Sequence, residues 1–299
     1  MKDINKIAVL GGDQRQYTAA AVIGKSTERV CIWGIYTSEI SNDRLTVCDS
    51  CEAAVENASA VILPLPASPD GIYLNCPFCD KEKIKLCDII DSMERDTIII
   101  GGRIPKDLIA RAEKKGIKVR DYFLSEDFQI KNAYITAEAA LSIAMNSLDK
   151  NIRNSKIAVT GYGRIAKHLV RLLVGMGADV TVAARKESDL AWGYSSGCSV
   201  LKIDGSDVGQ NNIYKLSKGY DVIYNTVPCW LFDRFFLTEV DKKTFIIDLA
   251  SAPGGVDICA AKELGANVLW ATSLPGKYAP ASAGELIASC VKEILQSEV

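Results

Sequence analysis

Lys156-Ile157-Ala158-Val159-Thr160-Gly161-Tyr162-Gly163-Arg164-Ile165-Ala166 reads as a buried strand, a glycine turn and the first turn of a helix. The spacing G-x-G-x-x-A lets backbone N–H groups approach a pyrophosphate at a helix N-terminus. The motif has its context: an apolar strand before it, a helix over 165–174 and a second strand over 180–184. That second strand ends in Arg185-Lys186, with Ser188 close behind. A unit that prefers NAD carries Asp or Glu there for the ribose 2′-hydroxyl, whereas two cations and a hydroxyl suit a 2′-phosphate. The expected cofactor is therefore NADP(H). Its ligands are expected among Gly161, Tyr162, Gly163, Arg164, Ile165, Arg185, Lys186 and Ser188.

Outward from this motif, the chain alternates short apolar runs with helical patterns. Runs at 6–10, 30–34, 61–65, 97–100 and 117–119 form a first array. Runs at 156–160, 180–184, 221–225, 244–249 and 267–270 form a second. The fold expected is α/β, two Rossmann-like doubly wound parallel-sheet domains. The division read from the sequence is 1–135 for a substrate or partner domain and 136–152 for a linking helix. An NADP-binding domain follows at 153–280, then a C-terminal helix at 281–299. By analogy with two-domain dehydrogenases, that helix returns to the first domain. The linking helix is expected to be capped by Thr136, and the segment 67–83 reads as a long loop.

At 299 residues the chain has room for about two domains. Its 48% hydrophobic and 24% charged residues place it with soluble globular proteins. A net charge of −2 gives no reason to expect nucleic acid or an anionic membrane as partner. Residues Met1 to Ile7 lack a leader's apolar core, and no apolar run has membrane-spanning length. A cytoplasmic protein is expected. Its 10 cysteines then read as free thiols. Cys48-Asp-Ser-Cys51 and Cys76-Pro-Phe-Cys79 also have the C-x-x-C form of zinc ligands. Their separation exceeds the usual ribbon spacing, so no bound metal is expected.

Ligands in such sheets bind at the carboxyl ends of the strands. In the second array this adds Thr226-Val227-Pro228 and Ala250-Ser251, the last beside the expected nicotinamide. In the first array, Gly11-Gly12-Asp13-Gln14-Arg15 lacks the dinucleotide spacing. Gly12 permits a tight turn and Asp13 caps a helix, while Arg15 reads equally as a grip on a substrate carboxylate or as a partner of Asp13. Glu138 reads either as an acid meeting the helix dipole or as a proton-transfer group. The single histidine, His168, lies on the flank of the nucleotide-domain helix. No second histidine can serve as the general base of a 2-hydroxyacid dehydrogenase, which argues against that chemistry.

With these residues in view, the chain resembles the dipicolinate synthase A subunits of spore-forming bacteria over nearly its full length. The resemblance is carried by 7–16 with its Gly-Gly-Asp-x-Arg turn, Ile62-Leu63-Pro64, and Asn132 with Thr136 and Glu138. It continues in the nucleotide turn, Asn225 to Pro228, Asp248 to Gly255 with its Ala-Ser-x-Pro-Gly-Gly, Leu274-Pro275-Gly276, Ala279-Pro280 and Ala283-Gly284. It implies that the protein acts in sporulation with a flavoprotein-like B subunit. Together they would oxidise dihydrodipicolinate, a lysine-pathway intermediate, to dipicolinate. It further implies a dicarboxylate substrate in an interdomain cleft, near Gly12, Asp13 and Arg15. Glu138, or water held by Thr136 and Asn132, would take the ring proton, with Ser251 near the nicotinamide. A homo-oligomer is also expected. Two other readings stand beside this one: another NADP-dependent two-domain oxidoreductase acting on an imino or keto acid, and a non-catalytic NADP-sensing subunit.

Overall fold

The structure, a computed structural model, describes residues 5–27, 29–35, 44–79, 83–203 and 212–298. Residues 1–4 of the stretch read against a leader, and 80–82 of the expected loop, lie outside the described residues. The chain divides into two compact units, Met1–Asn132 with Pro275–Val299, and Ala133–Leu274.

The first unit holds β1 (Ile7–Leu10), α1 (Gln14–Gly24), β2 (Val30–Trp33), β3 (Leu45–Val47), α2 (Cys51–Val55), β4 (Ala60–Ile62), α3 (Leu86–Ser92), β5 (Ile98–Gly101), α4 (Lys106–Lys114) and β6 (Lys118–Asp121). Helix α5 (Glu126–Ser147) leads into the second unit. That unit holds β7 (Lys156–Thr160), α6 (Arg164–Gly175), β8 (Asp179–Ala184), α7 (Glu187–Ser195), β9 (Ser199–Lys202), β10 (Val222–Asn225), α8 (Arg234–Glu239), β11 (Phe245–Asp248), α9 (Ile258–Leu264) and β12 (Val268–Trp270). The chain ends with α10 (Leu274–Tyr278) and α11 (Pro280–Glu298).

Each unit has a six-stranded sheet, ordered β3-β2-β1-β4-β5-β6 in the first and β9-β8-β7-β10-β11-β12 in the second. All the strand pairs are parallel. This is the doubly wound Rossmann order, twice. Central strands are buried along their length, as in Ile7–Leu10, Val222–Asn225 and Phe245–Asp248. Both faces of a parallel sheet are covered, which is why these strands read as unbroken apolar runs. In the first unit one face buries Leu10, Leu63, Leu86 and Ile99, and the other buries Val9, Ile23, Ile62 and Ile287. In the second, Val159, Leu169, Tyr224 and Ile247 line one face, and Ala158, Ile223, Phe232 and Phe236 the other.

Helix α11 returns to the first unit and packs along α1, as expected from the fold. Gly284 makes that approach possible: a Cβ there would stand 2.5 Å from both Arg15 O and Thr18 Cβ. At the far end, Glu298 pairs with Lys118 and Arg120 on β6.

Two local expectations are corrected. Thr136 does not cap the linking helix, which starts ten residues earlier at Glu126, where Ser125 Oγ accepts the Phe128 N–H at 3.4 Å. Glu126 and Asp127 meet the helix dipole there, so Glu138 is not a first-turn residue. The described part of the expected loop, 67–79, is a loop, and it is pinned by its own hydrogen bonds. The Ala67 N–H donates to Gly102 O and the Asn75 N–H to Ala67 O, while Asp70 accepts from Ser68, Ile72 and Tyr73.

Candidate functional site

The two units present equivalent strand–turn–helix corners, β1–α1 and β7–α6, and the chain treats them oppositely. At β1–α1 the turn is filled by the protein itself. Asp13 caps α1 and accepts the Arg15 N–H at 3.0 Å. The Gly12 N–H donates to Asn75 O at 2.7 Å, and a Cβ on Gly11 would stand 2.6 Å from that same oxygen. The segment after β4 therefore covers the corner where a dinucleotide would bind at this sheet's switch point.

At β7–α6 the corner is open. Gly163 is the N-cap of α6, with no side-chain cap and no acid in the first turn. A Cβ added to Gly163 would meet no protein atom within 4 Å. Gly161, at φ +82°, passes so close to β10 that a Cβ would stand 2.7 Å from Thr226 Oγ1 and 2.9 Å from Val227 Cγ2. Thr226 Oγ1 in turn donates to Thr160 O at 2.8 Å. The turn is thus pressed against the neighbouring strand, while no side chain caps the helix it opens. A pyrophosphate fits this arrangement: uncapped helix amides, the positive end of the helix dipole and no side chain in the way.

The end of β8 fits a further phosphate. Arg185, Lys186 and Ser188 are exposed, and among the described residues neither cation has an ion-pair partner. The carboxylate that directly follows them, Glu187, is drawn off by Lys202. Arg164 is exposed beside the turn and Ile165 half-buried. Tyr162 is buried instead, its hydroxyl 3.0 Å from Ser196 Oγ, so only its backbone faces the turn.

Beneath the corner lies a buried polar network not anticipated from the sequence. Thr160, Asn225 and Asp248 end the three central strands with no exposure at all. Thr160 Oγ1 donates to Asn225 Oδ1 (2.6 Å), and Asn225 Nδ2 donates to Asp248 Oδ1 (2.7 Å) and Val227 O (3.0 Å). Asp248 also accepts the Ala250 N–H (3.0 Å) and the Gly255 N–H (2.8 Å). A buried carboxylate must be satisfied in this way. Its effect is to fix the loops after β10 and β11, which carry Val227, Pro228, Ala250 and Ser251. Asn225 is therefore a brace rather than part of the lining. Pro228 and Ser251 are exposed, and Ser251 O accepts the Gly254 N–H at 2.9 Å. The sequence signal for this brace was an aspartate closing the apolar run Phe-Ile-Ile-Asp just before a glycine loop.

The expected substrate residues of the first unit are held differently. Arg15 is buried, and its Nε and Nη2 donate to Asp13 (2.8 Å each), with Nη2 also reaching Leu65 O at 2.7 Å. Gly276 closes over the pair, since a Cβ there would stand 2.7 Å from Asp13 Oδ2 and 2.9 Å from Arg15 Nε. Of the two readings of Arg15, the partnership with Asp13 is the one seen. Tyr122, within electrostatic reach of Arg15 and Asp13, is buried with a hydroxyl that has no hydrogen-bond partner among the described residues. Burial pushes that hydroxyl well above the usual tyrosine range.

On α5, Asn132 and Thr136 share a face, one turn apart, with Thr136 buried. Glu138 is exposed and lies about 200° round the helix from Thr136. It accepts from the Tyr134 hydroxyl, which raises that tyrosine above its ordinary value. His168 stacks edge-on against Tyr134 at 5.4 Å, on the helix flank expected for it. The two alternatives read for the proton acceptor, Glu138 and a water held by Thr136 and Asn132, thus lie on different faces of α5.

Two Rossmann-type units, one with its corner sealed and one with it open, define a protein of dehydrogenase fold. The transhydrogenase of Sinorhizobium meliloti has that fold, with a TM-score of 0.64 at 14% identity over 98% of this chain and 93% of that one. Residues 6–123 match the family model of the N-terminal domain of the dipicolinate synthase A subunit. The dipicolinate synthase A subunit of Bacillus subtilis is 28% identical over 97% of this chain and 95% of its own length. The crystal structure of the Bacillus halodurans A subunit superposes with a TM-score of 0.83 at 25% identity, covering 97% of both chains. In sequence and in fold the chain is thus similar over nearly its full length to the A subunit of dipicolinate synthase, which is the resemblance read from its sequence.

Proposed function

We propose that this chain is an NADP-dependent oxidoreductase subunit that forms dipicolinate from dihydrodipicolinate, working with a flavoprotein-like B subunit in the cytoplasm of sporulating cells. The observation that carries the cofactor reading is the contrast between the two corners: Asp13 and Asn75 occupy the first, whereas among the described residues no side chain caps the helix that starts at Gly163. Arg185, Lys186 and Ser188 at the end of β8 support NADP over NAD.

Bound there, NADP supplies a hydride acceptor. Aromatising a dihydro ring removes one hydride and one proton, so the chain must supply orientation and a path for the proton. The brace at Asp248 holds the Ala250–Ser251 loop rigid, which suits a nicotinamide-facing wall. The α5 face of Asn132 and Thr136 is the better placed to hold a proton-accepting water, because Glu138 is turned away and engaged by Tyr134. For the dicarboxylate, the buried Tyr122 hydroxyl near Arg15, unpartnered among the described residues, supports a polar anchor in the first unit. Asp13 then acts by positioning Arg15, and Gly12 by keeping the turn tight.

The test is spectroscopic. Dihydrodipicolinate and NADP are added to the purified chain, with and without the B subunit, and NADPH and dipicolinate absorbance are followed. Both should rise together. NADPH formation only with other imino or keto acids would replace the substrate. NADPH binding without turnover in either arm would leave a sensing role.

A further inference from the structure

Four cysteines that the proposed reaction does not use lie along one edge of the first sheet. β2 and β3 run side by side, with Ile32 opposite Val47, so the residues after them emerge together at the carboxyl edge. Cys48 follows β3 directly, its N–H donating to Ile32 O at 2.9 Å, and Cys51 opens α2. Gly34, just past β2 at φ +70°, faces the second pair: a Cβ there would stand 2.7 Å from Cys76 Sγ and 3.0 Å from Cys79 Sγ. Two sulfurs therefore converge over one glycine, where any side chain would displace them.

The Cys76–Cys79 segment is itself folded as a knuckle. The Cys79 N–H donates to Cys76 O at 3.1 Å, and the amides of Phe78 and Cys79 are aimed at Cys76 Sγ. Burial is the larger effect and pushes the Cys76 thiol up, so a bound metal would have to displace its proton. Cys79 stands close enough to both Cys76 and Cys51 for their charges to interact. Lys6 and Arg29 lie near Cys48 and offset negative charge on the cluster. Cys51 is buried in the apolar cluster beneath this edge, and Cys48, Cys76 and Cys79 are half-buried against it. Shielded thiols are poor nucleophiles, which disfavours dithiol redox chemistry.

We propose that Cys48, Cys51, Cys76 and Cys79 form a structural zinc site that clamps the segment after β4 to the ends of β2 and β3. Four thiolates suit Zn(II), and a closed four-cysteine set leaves no position for catalysis. Among the described residues no three such groups already stand in metal-ligand geometry. The Cys48 thiol is turned toward Cys31, so binding requires it to rotate inward. The clamp would act next to the sealed corner, because Asn75, which holds Gly12, immediately precedes Cys76. This inference is independent of the NADP reading.

The test uses the full chain purified without added metal. Zinc should be stoichiometric, and anaerobic exchange with Co(II) should give thiolate-to-cobalt charge-transfer bands and the visible bands of a tetrahedral centre. Cys51→Ser and Cys76→Ser should bring zinc to background, while Cys87→Ser and Cys259→Ser, away from the cluster, should retain it. Should the serine variants fail to fold, the cobalt spectrum of the unaltered chain still decides the matter. Trace zinc with no charge-transfer bands, zinc that survives Cys51→Ser with Cys76→Ser, or the absorption of an iron–sulfur cluster would each overturn the proposal.

Discussion

Replacing Gly163 with Asp asks the open corner to behave like the sealed one. Asp13 already performs this task on α1, accepting a first-turn amide at 3.0 Å. At Gly163 the backbone (φ −81°, ψ −166°) suits any residue, and a Cβ meets no protein atom within 4 Å. The fold should therefore accept the change. A carboxylate cap gains a few tenths of a kcal/mol over glycine, and its charge at the helix N-terminus about 0.3–1 kcal/mol more. The melting temperature should stay level or rise by about 1–3 °C for a unit of this size. Cofactor binding should move the other way. A carboxylate about 4–5 Å from a bound pyrophosphate opposes it by about 3–4 kcal/mol at an effective dielectric of 20. Salt screening at a partly exposed site removes roughly half of that. The amide taken by the new cap costs about 1.5–3 kcal/mol more, as a hydrogen bond lost to a charged group. Together these come to at least ~3 kcal/mol, a loss of about 100-fold in affinity. NADPH fluorescence titration and thermal melting on the same preparations measure the two effects. A variant that melts at or above the parent temperature and binds NADPH as tightly as the parent would refute the α6 assignment.

Three further variants probe the other parts of the site. Arg185→Glu with Lys186→Glu should cost NADPH about 2–4 kcal/mol of affinity while changing NADH little, because only the former carries the 2′-phosphate; equal losses for both cofactors would remove these residues from phosphate recognition. Gly255→Ala places a Cβ 2.1 Å from Asn225 Nδ2 and 2.8 Å from Val227 O, deep in the Asp248 brace; with overpacking at about 1–3 kcal/mol and a broken buried hydrogen bond at about 1–3 kcal/mol, melting should fall by roughly 10 °C, and a fall under about 2 °C would show that the brace is not rigid. Arg15→Ala strips the Asp13 carboxylate of its counter-ion and Leu65 O of its donor, so stability should drop by about 2–4 kcal/mol with NADPH affinity unchanged. If substrate affinity falls while the melting temperature holds, Arg15 grips the substrate directly.

How much of this could be read from the chain follows from where each residue's partners lie. The central strands were legible because both faces of a parallel sheet are buried and the sequence is apolar throughout. The edge strands β3 and β9 were not: Leu45-Thr46-Val47 and Ser199-Val200-Leu201-Lys202 are short and largely exposed, and they pair on one side only. The start of α5 was misplaced because Thr136 is a plausible cap, while the cap used is Ser125, followed by two acids and Phe128. The β7–α6 corner was legible because its geometry is local, a property of eleven consecutive residues. Asn225, Gly276 and Gly284 were visible as residues but not as roles, because each role is a contact with a distant segment: Asp248 against Asn225, Arg15 against Gly276, Thr18 against Gly284. The cap and the Arg15 pairing of Asp13 are local, and both were legible. The same distinction explains the two corners. Gly11-Gly12-Asp13 and Gly161-Tyr162-Gly163 are both glycine turns after a buried strand, and spacing alone separates them weakly. What separates them physically is an aspartate at the cap and a carbonyl delivered from Asn75, which together satisfy in the first unit amides whose counterparts in the second have no side-chain cap. A capping acid inside a glycine turn is thus a sign, readable without a structure, that a Rossmann corner has been closed to dinucleotides, and Gly163→Asp tests that rule on the corner that remains open.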